Sequence, residues 1–351
     1  MKVAMAGYQA ISMTHGGPLT QVLMTASHLR AHGVEADLFD PWKPFDRGTA
    51  DLVHLFGANI GTFHLAREAR RLGIPLMVSP IIYSRHSPSF LRAGLGLTRL
   101  VRAFAPGTWS DYGLAADICG WAEGVLPNSE AEAELVAGGF GIPRERMRVI
   151  PNGVEERFAA GDPERFAGRY GVRDFILTVT HVGHHRKNVL RLLQALGSID
   201  HPSVVIGKVT LDREGELCRA EAARHKQILL LDRVDHGSDL LASAYAACRV
   251  FVLPSLFETP GIAALEAALA GANIVITPHG GPREYFGDMA DYVEPASVSS
   301  IREGISRALA RPRTDRLREH IRADYLWNRV AELTAAAYRE LTGPSTKRGH
   351  E

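Results

Sequence analysis

Short apolar runs alternate along the chain with stretches of 3.6-residue periodicity, which predicts buried parallel strands joined by crossover helices. Lys2 to Ala6 is the first run. A loop with Gly16-Gly17 follows, and Pro18 opens a helix whose apolar positions Leu19, Val22, Leu23, Ala26 and Leu29 share one face. Gly33 closes that helix and 34–39 is the next strand. Strand, glycine turn, helix, strand is the opening of a doubly wound α/β sheet, and Gly16 and Gly17 stand where a phosphate would meet a helix N-terminus. The alternation continues with a strand at 51–57, a helix from Gly61 to Leu72 and a strand at 75–79. Next come a strand from Gly124 leading into a helix capped by Asn128 or Ser129, and a strand over 146–154 that runs into the turn Pro151-Asn152-Gly153. The pattern restarts at 174, with further strands at 203–208 and 228–234. The expected organisation is a domain over 1–155, a linker at 156–172, a second domain over 173–324, a helix at 325–342 and a disordered tail at 343–351.

The densest stretch is 248–288. Val250 to Leu253 form a strand ended by Pro254; Thr259 is placed to N-cap a helix with Pro260 at its first position. The backbone N–H groups of Gly261, Ile262 and Ala263 then leave the helix start unpaired, which makes an anion site. Glu258 precedes it and Glu266 lies on the second turn. Asn273 to Ile276 give another buried strand, and His279-Gly280-Gly281 a second permissive turn at the sheet edge where ligands of open parallel sheets bind. Arg186-Lys187-Asn188 opens the helix after the first strand of the second domain. Two cations at a helix start oppose the dipole, so they suit a bound diphosphate better than a solvated face.

Composition narrows the function. The 351 residues are 46% hydrophobic and 23% charged, with a net charge of +1, so no general field draws the protein to nucleic acid. Cys119, Cys218 and Cys248 lack metal-ligand spacing and read as buried thiols in a reducing compartment. The chain enters a strand at once, with no room for a signal peptide and no apolar stretch long enough to span a bilayer; a cytoplasmic location is expected.

The stretch SLFETPGIAALEAALAGANIVITPHGG, with its two glutamates eight positions apart, resembles the donor-site signature of the family-four retaining glycosyltransferases, the glycosyltransferases of group 1. Residues 124–140 and 146–154 resemble the same family. The resemblance implies a GT-B fold: two Rossmann-like domains facing across a cleft, with the C-terminal helix crossing back to the first domain. It implies a UDP- or GDP-sugar donor and a glycan, lipid-linked or small-molecule acceptor. The base would lie near Arg233 and Val234, with the ribose hydroxyls on Glu266. Arg186, Lys187 and the N–H groups after Pro260, at Gly261, Ile262 and Ala263, would hold the diphosphate. Glu258 would orient the sugar, and Gly16 and Gly17 would face the diphosphate from the first domain. Two positions depart from the family pattern. Val182 stands where an arginine is usual, and Pro80-Ile81-Ile82 where a histidine is usual, His86 being the nearest candidate.

No metal and no cofactor are expected. The chain has no Asp-x-Asp pair to hold a divalent ion, and His181, His184 and His185 fit no zinc spacing. It has no P-loop and no Gly-x-Gly-x-x-Gly after the first strand. A nucleotide-sugar epimerase on the same fold, or a non-catalytic binding subunit, is the alternative to a transferase. Between Ser87 and Phe104, Leu97, Leu100, Val101 and Phe104 fall on one side and Arg92, Arg99 and Arg102 on the other. A solvated helix is the plainer reading, since three arginines are few for an anchor; peripheral contact with the inner membrane face through residues 88–104 is the other.

Overall fold

A computed structural model describes every residue except 15, 106 and 343–351, so the tail expected at 343–351 lies outside the described residues. The chain forms two compact units, Met1–Gly153 with Trp327–Glu351, and Val154–Leu326.

In the first unit, β1 (Lys2–Gly7), β2 (Glu35–Leu38), β3 (Leu52–Phe56), β4 (Leu76–Ser79) and β5 (Gly124–Val125) are parallel in the order β2-β1-β3-β4-β5. Every residue of β3 and β4 is buried, as helices on both faces of a parallel sheet require. The strand expected over 146–154 does not form. Met147 makes a single bridge to Val125, and Ile150 donates to Pro127 O at 2.8 Å. The 3-10 turn Arg144–Arg146 precedes this segment, and Pro151, with no N–H for a ladder, ends it.

The last helix, Trp327–Leu341, packs into the first unit. Trp327, Val330, Ala331, Ala335 and Tyr338 share a core with Val3, Met5, Leu52 and Phe56. His54 on β3 is fully enclosed there, Nδ1 2.6 Å from the Tyr338 hydroxyl and Nε2 3.0 Å from Ser79 Oγ. Burial drives its pKa to about 3, so it is a neutral, hydrogen-bonded core residue.

The helix Pro88–Phe104 is capped by Ser87, whose Oγ accepts the Phe90 N–H at 3.3 Å. It is held by Leu91 and Leu95. The four apolar residues that share one side in the sequence are exposed, with Leu97 at 63% and Phe104 at 84%. Arg102 does not join a free basic face, because it pairs with Asp117 at 2.8 Å.

In the second unit, β6 (Phe175–Val179), β7 (Ser203–Ile206), β8 (Ile228–Leu231), β9 (Cys248–Leu253), β10 (Asn273–Ile276) and β11 (Asp291–Tyr292) are parallel, in the order β11-β10-β9-β6-β7-β8. Winding runs outward from β6 to β8, then returns to β9 on the other side of β6. The topological switch point is therefore between β6 and β9, and the loops leaving their carboxyl ends flank it. Residues 156–172, expected as a linker, belong to this unit. Their 3-10 turn Glu156–Ala160 and helix Pro163–Tyr170 bury Phe158 and Phe166 completely, and Phe166 N–H donates to Ser243 Oγ at 2.7 Å. Two buried phenylalanines make the segment part of the core. The three cysteines are buried and free.

Candidate active site

Two loops meet at the switch point. After β6 the chain makes a 3-10 turn, His185–Lys187, and Asn188 adopts φ 57° to start the helix Val189–Leu196. Asn tolerates this left-handed backbone better than most residues. Its side-chain amide donates to Pro254 O at 2.9 Å and Pro295 O at 2.7 Å. Leu256 N–H donates in turn to Arg186 O at 2.8 Å, so the loops after β6 and β9 are bonded through backbone and side chain alike.

Glu258 is fixed by a third loop. Its N–H donates to His279 O and its carbonyl accepts from Gly281 N–H, both at 3.0 Å. Gly280 lies between them with φ 96°, and a Cβ there would come 1.9 Å from Glu258 O, so only glycine fits.

The three loops bring the charges together. Lys187 Nζ donates to Glu258 Oε1 at 2.5 Å and Arg186 Nη1 lies 3.3 Å from Oε2. Arg186 also donates to Phe257 O at 3.1 Å and lies over the Phe257 ring. The Glu258 side chain is 6% exposed and that of Lys187 16%. Burial pushes the Glu258 carboxyl up, but Lys187 and then Arg186 outweigh it and hold the pKa below the usual value. Burial lowers the Lys187 pKa, opposed by Glu258. The result is an ionised carboxylate with two cations on it, one of them still a third exposed.

Beside this cluster the helix Ile262–Leu269 begins, with Gly261 as its N-cap at φ 86°. Thr259 is not the cap, and Pro260 precedes the helix instead of opening it. The left-handed turn at Gly261 sets the start two residues later than the Thr-Pro signal suggests, because only the backbone at Gly261 reverses into helix. The first N–H groups, at Ile262 and Ala263, have no intrahelical acceptor by position.

Glu266, 3% exposed, is held from both sides: Oε1 is 2.7 Å from His236 Nε2, and Oε2 accepts the Tyr245 hydroxyl at 2.7 Å. That bond to Glu266 raises the His236 pKa, against burial. Arg233 and Val234 line a cavity of about 410 Å³ with Arg169, Tyr170, Leu231 and Ser238. A cavity of this size accommodates a nucleobase or similar ring.

Gly16 and Gly17 start the helix Gly17–Leu29 in the first unit, Gly16 as its extended N-cap. Val182 is fully buried, so it makes no contact of the kind an arginine there would make. His86 is exposed and stacks on Phe90, 4.8 Å between centroids. His185 is 3.7 Å from Glu214, and burial, then Arg186 and Lys187, lower the His184 pKa. Among the described residues no three His, Cys, Asp or Glu side chains group to hold a metal ion. Sequence reading missed the clamp on Glu266. The signal was a histidine three residues beyond Arg233, which means little until the fold sets it against a glutamate thirty residues on.

Comparison with known proteins bears on the family and the fold. The model described as glycosyl transferases group 1 matches residues 164–324, and the glycosyl transferase 4-like domain matches residues 42–153. An uncharacterised glycosyltransferase of Methanocaldococcus jannaschii is 26% identical over 61% of this chain and 59% of its own length. The MMP alpha-(1->4)-mannosyltransferase of Mycolicibacterium hassiacum is 28% identical over 62% of this chain and 54% of its own. The chain thus spans somewhat over half the length of the curated relatives it matches. Sucrose-phosphate synthase from Thermosynechococcus elongatus superposes with a TM-score of 0.72 at 18% identity, covering 97% of this chain and 99% of that one. Anabaena HepE in complex with UDP and glucose gives 0.68 at 14%, covering 96% and 98%. At these identities the likeness is one of fold, two Rossmann-like units of the GT-B kind.

Proposed function

We propose that this chain, matched over residues 164–324 by the model of glycosyl transferases group 1 and over 42–153 by the glycosyl transferase 4-like domain, is a glycosyltransferase that moves a sugar, with retention and without a metal ion, from a nucleotide-diphosphate sugar to a hydroxyl of a glycan, lipid-linked or small-molecule acceptor. The observation that carries the reading is the Glu258 carboxyl between Lys187 Nζ and Arg186 Nη1, at the sheet's switch point and beside the start of Ile262–Leu269.

Each group has a task in this reaction. The diphosphate lies against Lys187, Arg186 and the N–H groups at 261–263, where fixed cations and peptide dipoles meet the charge that grows as the sugar leaves. Arg186 and Lys187 share their protons between Glu258 and phosphate. Glu258 accepts sugar hydroxyls and faces the positive charge building at the anomeric carbon. The base occupies the cavity at Arg233 and Val234. Ribose hydroxyls add to Glu266, whose oxygens each accept more than one hydrogen bond. The first unit takes the acceptor, and the reaction is cytoplasmic.

The test is a thermal-shift panel of UDP, GDP and ADP and their sugars. A nucleotide at a hundred times its dissociation constant stabilises by about 2.7 kcal/mol. One base should shift the melt strongly, the shift should be lost in Lys187→Ala, and turnover over an acceptor panel should survive EDTA. NMR of the product should show the anomeric configuration of the donor. Donor consumed with no acceptor present would point to an epimerase, and nucleotide binding with no diphosphate released would point to a binding subunit.

A further inference from the structure

The helix Pro88–Phe104 leaves uncovered what a helix of a globular unit ordinarily buries. Its contact with the rest of the unit uses Leu91 and Leu95. At 100° per residue, Phe90, Leu97, Leu100, Val101 and Phe104 fall together on the side turned away from that contact. They are 62%, 63%, 58%, 39% and 84% exposed. Ala93 and Gly94 continue the stripe, so nothing polar interrupts it. A row of large apolar side chains about 20 Å long is more than scattered surface hydrophobics.

Charge selects among the occupants. Between Glu68 and Asp111 the sequence has six arginines and no acidic residue. Of the arginines on the helix, Arg102 is taken by Asp117, whereas Arg92 and Arg99 are exposed together on the flank between the buried side and the apolar stripe. Arg85, just before the helix, is exposed too. An apolar stripe bordered by cations, in a stretch without acids, complements a surface that is apolar inside and anionic at its rim. Another protein would match it only with an apolar groove that also carried an acidic rim along its whole length, a narrower requirement than an anionic bilayer meets.

We propose that the outward face of Pro88–Phe104 docks on an anionic lipid surface, the apolar residues entering the acyl boundary and Arg85, Arg92 and Arg99 meeting the headgroups. The inference does not depend on the transferase reading, since it uses no residue of the candidate active site. Docking would leave the protein reversibly bound, because three arginines and one short stripe are a modest anchor.

The experiment is flotation of the full chain with vesicles of phosphatidylcholine, with and without phosphatidylglycerol. Binding is expected with phosphatidylglycerol, weakened roughly tenfold or more in Arg92→Glu/Arg99→Glu and in high salt. Leu97→Ser/Phe104→Ser should also lose it, while its melting temperature stays at or above that of the parent, since exposed apolar residues contribute little to the fold. The proposal is overturned if the parent fails to float with anionic vesicles, if it floats equally well with neutral ones, or if either variant floats like the parent. A dimer in sedimentation velocity that the Leu97→Ser/Phe104→Ser variant abolishes, without lipid binding by the parent, would assign the face to a second copy of the chain and overturn it as well.

Discussion

Glu258 meets both Lys187 and Arg186, and the proposed reaction makes it the residue to test first. Glu258→Gln keeps its shape but removes the charge that Lys187 and Arg186 answer, and turnover should fall about a hundredfold or more, measured as kcat with saturating donor. Lys187→Ala should lose at least as much. It should also lower the melting temperature, since removing one partner of a buried pair costs up to about 3–5 kcal/mol, with Arg186 still present to soften the loss. The Glu258 carboxyl is held below its ordinary value, so its contribution to stability is complete above about pH 4.5 and disappears as pH falls through the lower folded value. His236 behaves oppositely. Its pKa is raised, so the contact with Glu266 stabilises fully below pH 6.5 and fades as pH rises through the folded value. The gap in melting temperature between the parent and His236→Ala should therefore narrow from pH 6 to pH 8.5; a constant gap would show that the bond does not depend on the proton. Because the His236 side chain is 45% exposed, the effect should be small. That Glu258, Arg186 and Lys187 come together followed from strand, proline and glycine signals that put their loops at one sheet edge, whereas their roles came from the resemblance. The Thr259 cap was misread because the reversal at Gly261 is a backbone property that residue preference hints at without fixing. The clamp on Glu266 joins residues from separate loops, and no local pattern encodes it.

Among elements, the buried strands followed from apolar runs, since a strand buried on both faces is predominantly apolar and a polar residue on it, such as His54, needs its own hydrogen bonds. The failure at 146–154 came from the reverse case: Arg-rich beginnings and a proline left only edge bonding. Segment 156–172 was misassigned because its variable composition hid two phenylalanines at the spacing of a packed turn and helix. The loops that hold the site give a sharp contrast between glycines. Gly280→Ala should lower both melting temperature and turnover, because its Cβ would collide with Glu258 O. Gly271→Ala has a similar positive φ, 92°, but open space around it, and should cost about 1–2 kcal/mol in strain with turnover preserved. Equal loss of activity in both would mean that the Glu258–Gly280 bridge does not position the carboxylate.

For the molecule as a whole, the double-unit architecture and the return of the last helix were readable from alternation and resemblance. What the helix does there was not. Trp327→Ala should cost about 3–5 kcal/mol, read in chemical denaturation, because the indole is buried in a core it shares with β1, β3, Met77 of β4 and Val22 and Leu29 of the helix Gly17–Leu29. Tyr338→Phe should cost about 1–3 kcal/mol by leaving His54 Nδ1 without its partner inside that core.

The hydrogen bonds of Leu256 to Arg186, of Asn188 to Pro254, and of Glu258 to His279 and Gly281 make three chain segments into one rigid piece. Anyone who grafts the sugar preference of a relative onto this scaffold would have to transplant residues 184–188, 254–261 and 279–281 as a set. Exchanging one of them would leave a mismatched joint beside Glu258.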